Sequence, residues 1–97
     1  MRVISRKTLK DYWEKEPGTE QELKAWFAEA ENADWRTPTD VKAKYGNASI
    51  LKGGRVVFNI CGNNYRLVTW INYEFHTVYV RFVGTHKEYD RINAETV

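Results

Sequence analysis

Arg55-Val56-Val57-Phe58-Asn59-Ile60-Cys61-Gly62-Asn63-Asn64-Tyr65-Arg66-Leu67-Val68-Thr69-Trp70-Ile71-Asn72 reads as two strands around a tight turn. Val56, Phe58 and Ile60 alternate with Arg55, Val57 and Asn59, and Leu67 and Ile71 alternate with Arg66, Val68 and Trp70, which is the period of two that a pleated strand imposes. Gly62-Asn63 supplies the turn chemistry. The same period returns downstream, where Val78, Val80 and Phe82 alternate with Tyr79, Arg81 and Val83. With Gly53-Gly54 and the stretch around Glu74-Phe75 as further turns, the chain from Ala48 onward predicts a four-stranded meander with one apolar face.

That face needs a cover, and the upstream residues supply one. Arg2 to Ile4 can pair as a short strand, after which Leu9, Tyr12 and Trp13 fall at helical spacing until Pro17-Gly18. Thr19 with Glu22 reads as a capping box opening a second helix, whose apolar stripe is Leu23, Trp26, Phe27 and Ala30. Thr37-Pro38-Thr39-Asp40 starts a brief third helix that Gly46 closes. A further capping box, Thr85 with Glu88, predicts a helical turn after the last strand, with His86 and Tyr89 on one face of it. Residues 93–97 are expected to fray. The fold class is therefore α+β: an antiparallel-dominated sheet, N-terminal helices packed on one face and a short C-terminal helical segment.

Ninety-seven residues suffice for a single domain spanning 1–97. The lone Cys61 rules out an internal disulfide, and no His/Cys grouping has metal-site spacing, so neither a metal nor a cofactor is expected. No leader-like or membrane-length apolar run is present, and a reducing cytoplasm suits the composition. Net charge is only +2, but between Val41 and Tyr73 five basic residues stand with no acidic one. Such a concentration suits a local anion site better than general attraction to nucleic acid.

Register turns this pattern into a candidate site. If the Gly62-Asn63 hairpin pairs Ile60 with Tyr65, Asn59 lies opposite Arg66, both projecting away from the helices. An even second hairpin pairing Asn72 with Thr77 sets Arg81 opposite Val68 and diagonal to Arg66, on a surface flanked by Trp70 and Tyr79. Cutting RNA without a metal requires a proton acceptor for the 2′-hydroxyl, neutralisation of the phosphoryl oxygens and a proton for the departing 5′-oxygen. Arg66 and Arg81 can fork onto phosphate oxygens, though arginines also decorate ordinary solvated strand faces. His86 carries the side chain of the segment suited to acid or base work near neutrality, and an exposed helix-start histidine is the plainer alternative. Tyr89 can act as a base only beside cations that lower its proton affinity, and otherwise stacks on a base or packs against the sheet. Lys42 and Lys87 read as phosphate tethers, and Asn59 and Asn64 as hydroxyl or orienting contacts. Trp70 and Tyr79 suit base stacking or, more simply, a protein contact.

These residues carry a resemblance that runs along nearly the whole chain. Leu23-Lys24-Ala25-Trp26, Ala33-Asp34-Trp35, Val41-Lys42-Ala43-Lys44-Tyr45 and Arg55 to Ile60 take part in it, as do Gly62 to Val68 and Tyr79 to Asp90. In that order they resemble the HigB family of type II toxins, within the RelE-like fold group. The resemblance implies a metal-independent mRNA interferase that enters the ribosomal A site and cleaves the message through 2′-hydroxyl attack. It implies a HigA-like helix-turn-helix antitoxin as partner, with operator DNA engaged only through the toxin–antitoxin complex and no membrane partner. By position it points to Arg66, Arg81, His86 and Tyr89 as catalytic, with Lys42 and Lys87 as RNA contacts. The lysine-rich strand of the RelE type is poorly matched, which leaves the general base open.

Two rivals share the fold without the chemistry. ParE-like relatives of this shape inhibit DNA gyrase by binding, and a small RNA-binding domain would use the same face without cutting. Growth arrest with mRNA decay, against arrest with DNA-damage signalling, separates the first rival.

Overall fold

A computed structural model describes all 97 residues. The elements follow in the order β1 (Arg2–Ile4), α1 (Arg6–Lys15), α2 (Glu20–Asn32), α3 (Pro38–Lys44), β2 (Ser49–Ile50), β3 (Arg55–Ile60), β4 (Tyr65–Asn72), β5 (Thr77–Thr85) and α4 (His86–Tyr89). Five strands form one sheet in the order β1-β5-β4-β3-β2. Only β1 lies parallel to its neighbour, pairing Val3 with Val78, and the remaining ladders are antiparallel. The expected meander is present, and the architecture is the expected α+β.

The helices bury one face of the sheet. Leu9 and Trp13 of α1 and Leu23, Trp26 and Ala30 of α2 meet Val56, Phe58, Ile60, Leu67, Ile71 and Val78 in a single apolar cluster. Phe58 is its hub, touched by Trp26, Trp35 and Tyr45 with ring centroids 5.3, 6.1 and 5.1 Å away. The α3 start is as expected: Thr37 caps it in a box with Asp40, and Pro38 takes the first helical position.

The start of α2 differs from expectation. Thr19 is fully buried at the end of a 3₁₀ turn over Pro17–Thr19, and its hydroxyl donates to the Glu16 carbonyl at 2.8 Å instead of capping α2. The carboxylate of Glu22, freed from any cap, accepts the Cys61 N–H and so ties α2 to the β3–β4 turn.

Both hairpins take the predicted register at their turns, with Ile60 opposite Tyr65, Asn59 opposite Arg66 and Asn72 opposite Thr77. A β-bulge between Val68 and Thr69 then breaks the even count: Thr69 pairs with Val80 and Val68 with Phe82. Arg81 is the extra residue, so it does not stand opposite Val68 as expected. The slip also exchanges the sides of its successors. Phe82 leaves the helix-covered face for the other, and Val83 joins the main core.

That second face is not left open. Residues after α4 turn back across it, and Ala94 is 8 % exposed against Val57 and Val68, with Leu51, Phe82, Tyr89, Ile92 and Val97 around them. The amides of Thr96 and Val97 both donate to the Asn93 carbonyl, at 3.1 and 3.0 Å. The tail expected to fray is therefore docked, because Phe82 and its neighbours give it apolar surface to bury.

Candidate active site

Three rows of side chains cross the face away from the helices. At one end Arg55 pairs with Trp70 and Trp70 with Tyr79; next come Val57, Val68 and Phe82; at the β3–β4 hairpin end stand Asn59, Arg66 and Gly84. The apolar middle row lies under the tail, so the polar hairpin end is separated from the aromatic end.

Arg66 is fixed at the hairpin end. One terminal nitrogen donates to the Asn63 carbonyl at 3.0 Å and to the Tyr65 carbonyl at 3.2 Å, and its guanidinium carbon lies 6.0 Å from the centroid of the Tyr89 ring. Asn59, opposite Arg66, donates to the Asn63 side chain at 3.5 Å. Asn59 also lines a groove of about 310 Å³ between β3 and the loop through Tyr45, Gly46 and Asn47.

The helical turn α4 delivers the remaining groups. Its capping box is complete: the Thr85 N–H donates to Glu88 Oε1 at 2.8 Å, and the Glu88 N–H donates to the Thr85 hydroxyl at 3.1 Å. The first of these bonds holds the Glu88 carboxyl below its usual range. The His86 N–H donates to the Asn64 carbonyl at 3.0 Å, which fastens α4 to the β3–β4 turn. From its side chain, the imidazole Nδ1 lies 3.2 Å from a carboxylate oxygen of Asp90 one turn on. His86 and Asp90 are both more than half exposed, so the contact orients the ring more than it stabilises the fold.

Of the residues expected from the sequence, Arg66 lies beside Tyr89 and opposite Asn59, and the main chain of Asn64 is tied to that of His86. Lys87 is exposed on the same helical turn. Two residues are engaged elsewhere. The Lys42 ammonium donates to the carbonyls of Gly46 and Ala48, at 2.7 and 2.8 Å, closing the end of α3 and not the site. Arg81 lies on the same sheet face as Arg66, but its Nε donates to the Val97 main-chain oxygen at 3.1 Å, three residues along β5 from the Gly84 that faces Arg66. Trp70 and Tyr79 stack on each other, with centroids 4.9 Å apart and planes at 21°, which uses ring faces that a base would need.

Three participants escaped the sequence reading. Asn63 supplies both a carbonyl for Arg66 and an amide oxygen for Asn59. Asp90 was detectable, since a carboxylate four residues after a histidine shares a helical face with it. Gly84 was not, because its importance lies in the Phe82 ring and the Glu88 carboxylate that fill the space beside it.

The family model of HigB toxin, the RelE-like toxic component of a toxin-antitoxin system, matches residues 19–92. The chain belongs to the HigB toxin family. It is 35 % identical over 96 residues to the mRNA interferase toxin HigB of Escherichia coli strain K12, a span of 97 % of this chain and 92 % of that protein. The same figures hold for the mRNA interferase HigB of Shigella flexneri. A more distant relative, the mRNA interferase HigB of Escherichia coli O6:H1, is 24 % identical over 94 residues, covering 95 % of this chain and 91 % of that protein. The matched span of this HigB-family chain begins at the buried Thr19 and ends at Ile92, so it takes in the whole hairpin end, α4 and the first residue of the docked tail.

Proposed function

We propose that this toxin is an mRNA interferase that cuts translated messages in the ribosomal A site, acting as one domain in the cytoplasm. The 2′-hydroxyl attacks the adjacent phosphorus, the bond to the 5′-oxygen breaks, and a 2′,3′-cyclic phosphate remains; no metal ion takes part. A HigA-like helix-turn-helix antitoxin neutralises it and carries it to operator DNA.

The observation that supports this reading is the placement of the Arg66 guanidinium beside the Tyr89 ring, on a face whose edge presents His86. Arg66 neutralises charge growing on the phosphoryl oxygens, and its carbonyl contacts preset its direction. His86 and Tyr89 divide the two proton transfers. Asn59 and Asn64 hold ribose or phosphate oxygens, and Lys87 adds a phosphate contact from α4. No three His, Cys, Asp or Glu side chains gather anywhere in the fold, which supports a reading in which the protein itself holds no metal.

Primer extension on programmed ribosomes tests the proposal, comparing wild type with alanine variants of Arg66, Arg81, His86 and Tyr89. Cleavage by wild type that persists with chelator on intact ribosomes is the expected result. Activity restored only by one divalent ion sinks the metal-free mechanism. Intact messages, in cells that arrest with DNA-damage signalling, sink the nuclease assignment.

A further inference from the structure

Two arginines from non-adjacent strands end on one atom. Arg55 of β3 donates from a terminal nitrogen to the Val97 main-chain oxygen at 2.9 Å, and Arg81 of β5 donates to the same oxygen from Nε at 3.1 Å. Neither is within salt-bridge distance of a carboxylate side chain. The Nε of Arg55 is buried with no partner of its own, so this side chain has given up solvent to reach the tail. Strands β3 and β5 flank β4, so the Val97 oxygen bridges across the strand that carries Arg66. Between this anchor and α4, Ile92, Ala94 and Val97 pack with Val57, Val68, Phe82 and Tyr89. The Ile92 amide donates to the Tyr89 carbonyl, making the tail continuous with α4.

We propose that Arg55 and Arg81 are positioning residues for the cleavage reaction, acting through the C-terminal tail to hold Tyr89 against Arg66. This rests on the nuclease reading of the same face. Arg81 then contributes to rate without touching RNA, and Arg55 contributes although it stands at the far row of the sheet. A doubly donated oxygen anchors the tail at its end, Ala94 seats it in the middle, and the two together fix the angle at which α4 leaves β5. Displacing a reacting group by about 1 Å costs up to about 100-fold in rate, so a loosened tail should show in chemistry before it shows in binding.

The test is a cycle of variants measured three ways. Arg55→Gln, Arg81→Gln, the double variant and a chain ending at Ile92 are assayed for single-turnover cleavage on programmed ribosomes, for ribosome affinity, and for amide exchange over residues 92–97. Each single variant is expected to lose about threefold in rate, because the other arginine still holds Val97. The double variant should lose about 10- to 100-fold with affinity within about twofold, and its Thr96 and Val97 amides should lose protection. In the shortened chain, Arg81→Gln should cost nothing further, since its acceptor is gone. An undiminished cost there means that Arg81 acts on RNA directly, and it overturns the proposal. So does unchanged protection of residues 92–97 in the double variant, a readout that stays decisive if the shortened chain does not fold. Failure of wild type to cut any message removes the nuclease reading instead, while the exchange data still report whether the arginines hold the tail.

Discussion

Arg66 faces Gly84 across the β4–β5 ladder, and the absent side chain at Gly84 is occupied by two others. A Cβ there would come within 2.6 Å of the far end of the Phe82 ring and 3.0 Å of Glu88 Oε1. The carboxylate can swing away. The Phe82 ring cannot move freely, because it is packed with Val57, Val68 and Tyr89 under the tail. Gly84→Ala is therefore expected to cost about 1–3 kcal/mol in urea unfolding. It should also slow cleavage, since the displaced ring bears on Tyr89. A variant with wild-type stability would show that Phe82 has room the structure does not reveal.

Arg66 offers a sharper test of the site. Its terminal nitrogen is held by two carbonyls while its guanidinium carbon lies 6.0 Å from the Tyr89 ring centroid, so charge is presented in a fixed direction. Arg66→Ala is expected to lower single-turnover cleavage about 10²- to 10³-fold, the loss typical of one preorganised donor. Arg66→Lys should recover only part of that, because an ammonium cannot fork onto two phosphoryl oxygens. Equal rates for lysine and arginine at this position would reduce Arg66 to a general tether.

Tyr89 packs with the Phe82 cluster and also faces Arg66, so alanine would confound two effects. Tyr89→Phe keeps the ring and removes only the hydroxyl. Ribosome affinity should stay within about twofold while the rate falls about 10²- to 10⁴-fold, the range for a lost proton-transfer group. A phenylalanine variant as fast as wild type confines Tyr89 to packing.

The difference between what the sequence disclosed and what it hid has a physical cause. Asn59 opposite Arg66 was legible because the turn residues fix the hairpin and the alternation fixes its faces. The capping box of α4 was legible for the same local reason. The bulge at Arg81 was not, since Val80-Arg81-Phe82-Val83 offers apolar residues for either side and no glycine marks the extra residue. Once Phe82 has changed sides it creates an apolar patch on the second face, and the docked tail follows from that patch. One irregular residue thus accounts for the altered placement of Arg81 and, through Phe82, for the ordered residues 93–97. Thr19 misled for the opposite reason: Thr-x-x-Glu spacing was present, but a preceding Pro-Gly turn took the hydroxyl first.

On the helix-covered side, the Tyr45 hydroxyl donates to Glu29 at 2.7 Å while its ring packs edge-on against Phe58 and Trp35. Burial, then the Glu29 contact, pushes the phenol far above its ordinary value, so it remains a donor at any working pH. Tyr45→Phe should keep the aromatic packing and lose about 1 kcal/mol with the hydrogen bond. Cleavage should be unaffected. A larger loss, near that of a cavity, would mean that the ring itself had shifted.

Acid should loosen the active end of the molecule through Glu88. Its carboxyl is held below the ordinary value by the Thr85 N–H, so the ionised form belongs to the folded state. A depressed folded pKa contributes stability that is complete above the unfolded value near 4.5 and is lost as pH falls through the folded one. Glu29, lowered by its bonds from Tyr45 and Lys44, has the same sign and must be separated from it. Glutamine at position 88 still accepts the Thr85 bond but no longer titrates. Glu88→Gln should therefore flatten the stability profile below about pH 4.5, by less than about 1 kcal/mol because the group is exposed, and Glu29→Gln should flatten it independently. The two losses are distinguishable by place: protection of the His86 to Asp90 amides, taken relative to the unfolded chain at the same pH, should fall with acid in wild type and in Glu29→Gln, and should stay level in Glu88→Gln. Lost protection in all three proteins would assign the acid response to some group other than the α4 cap.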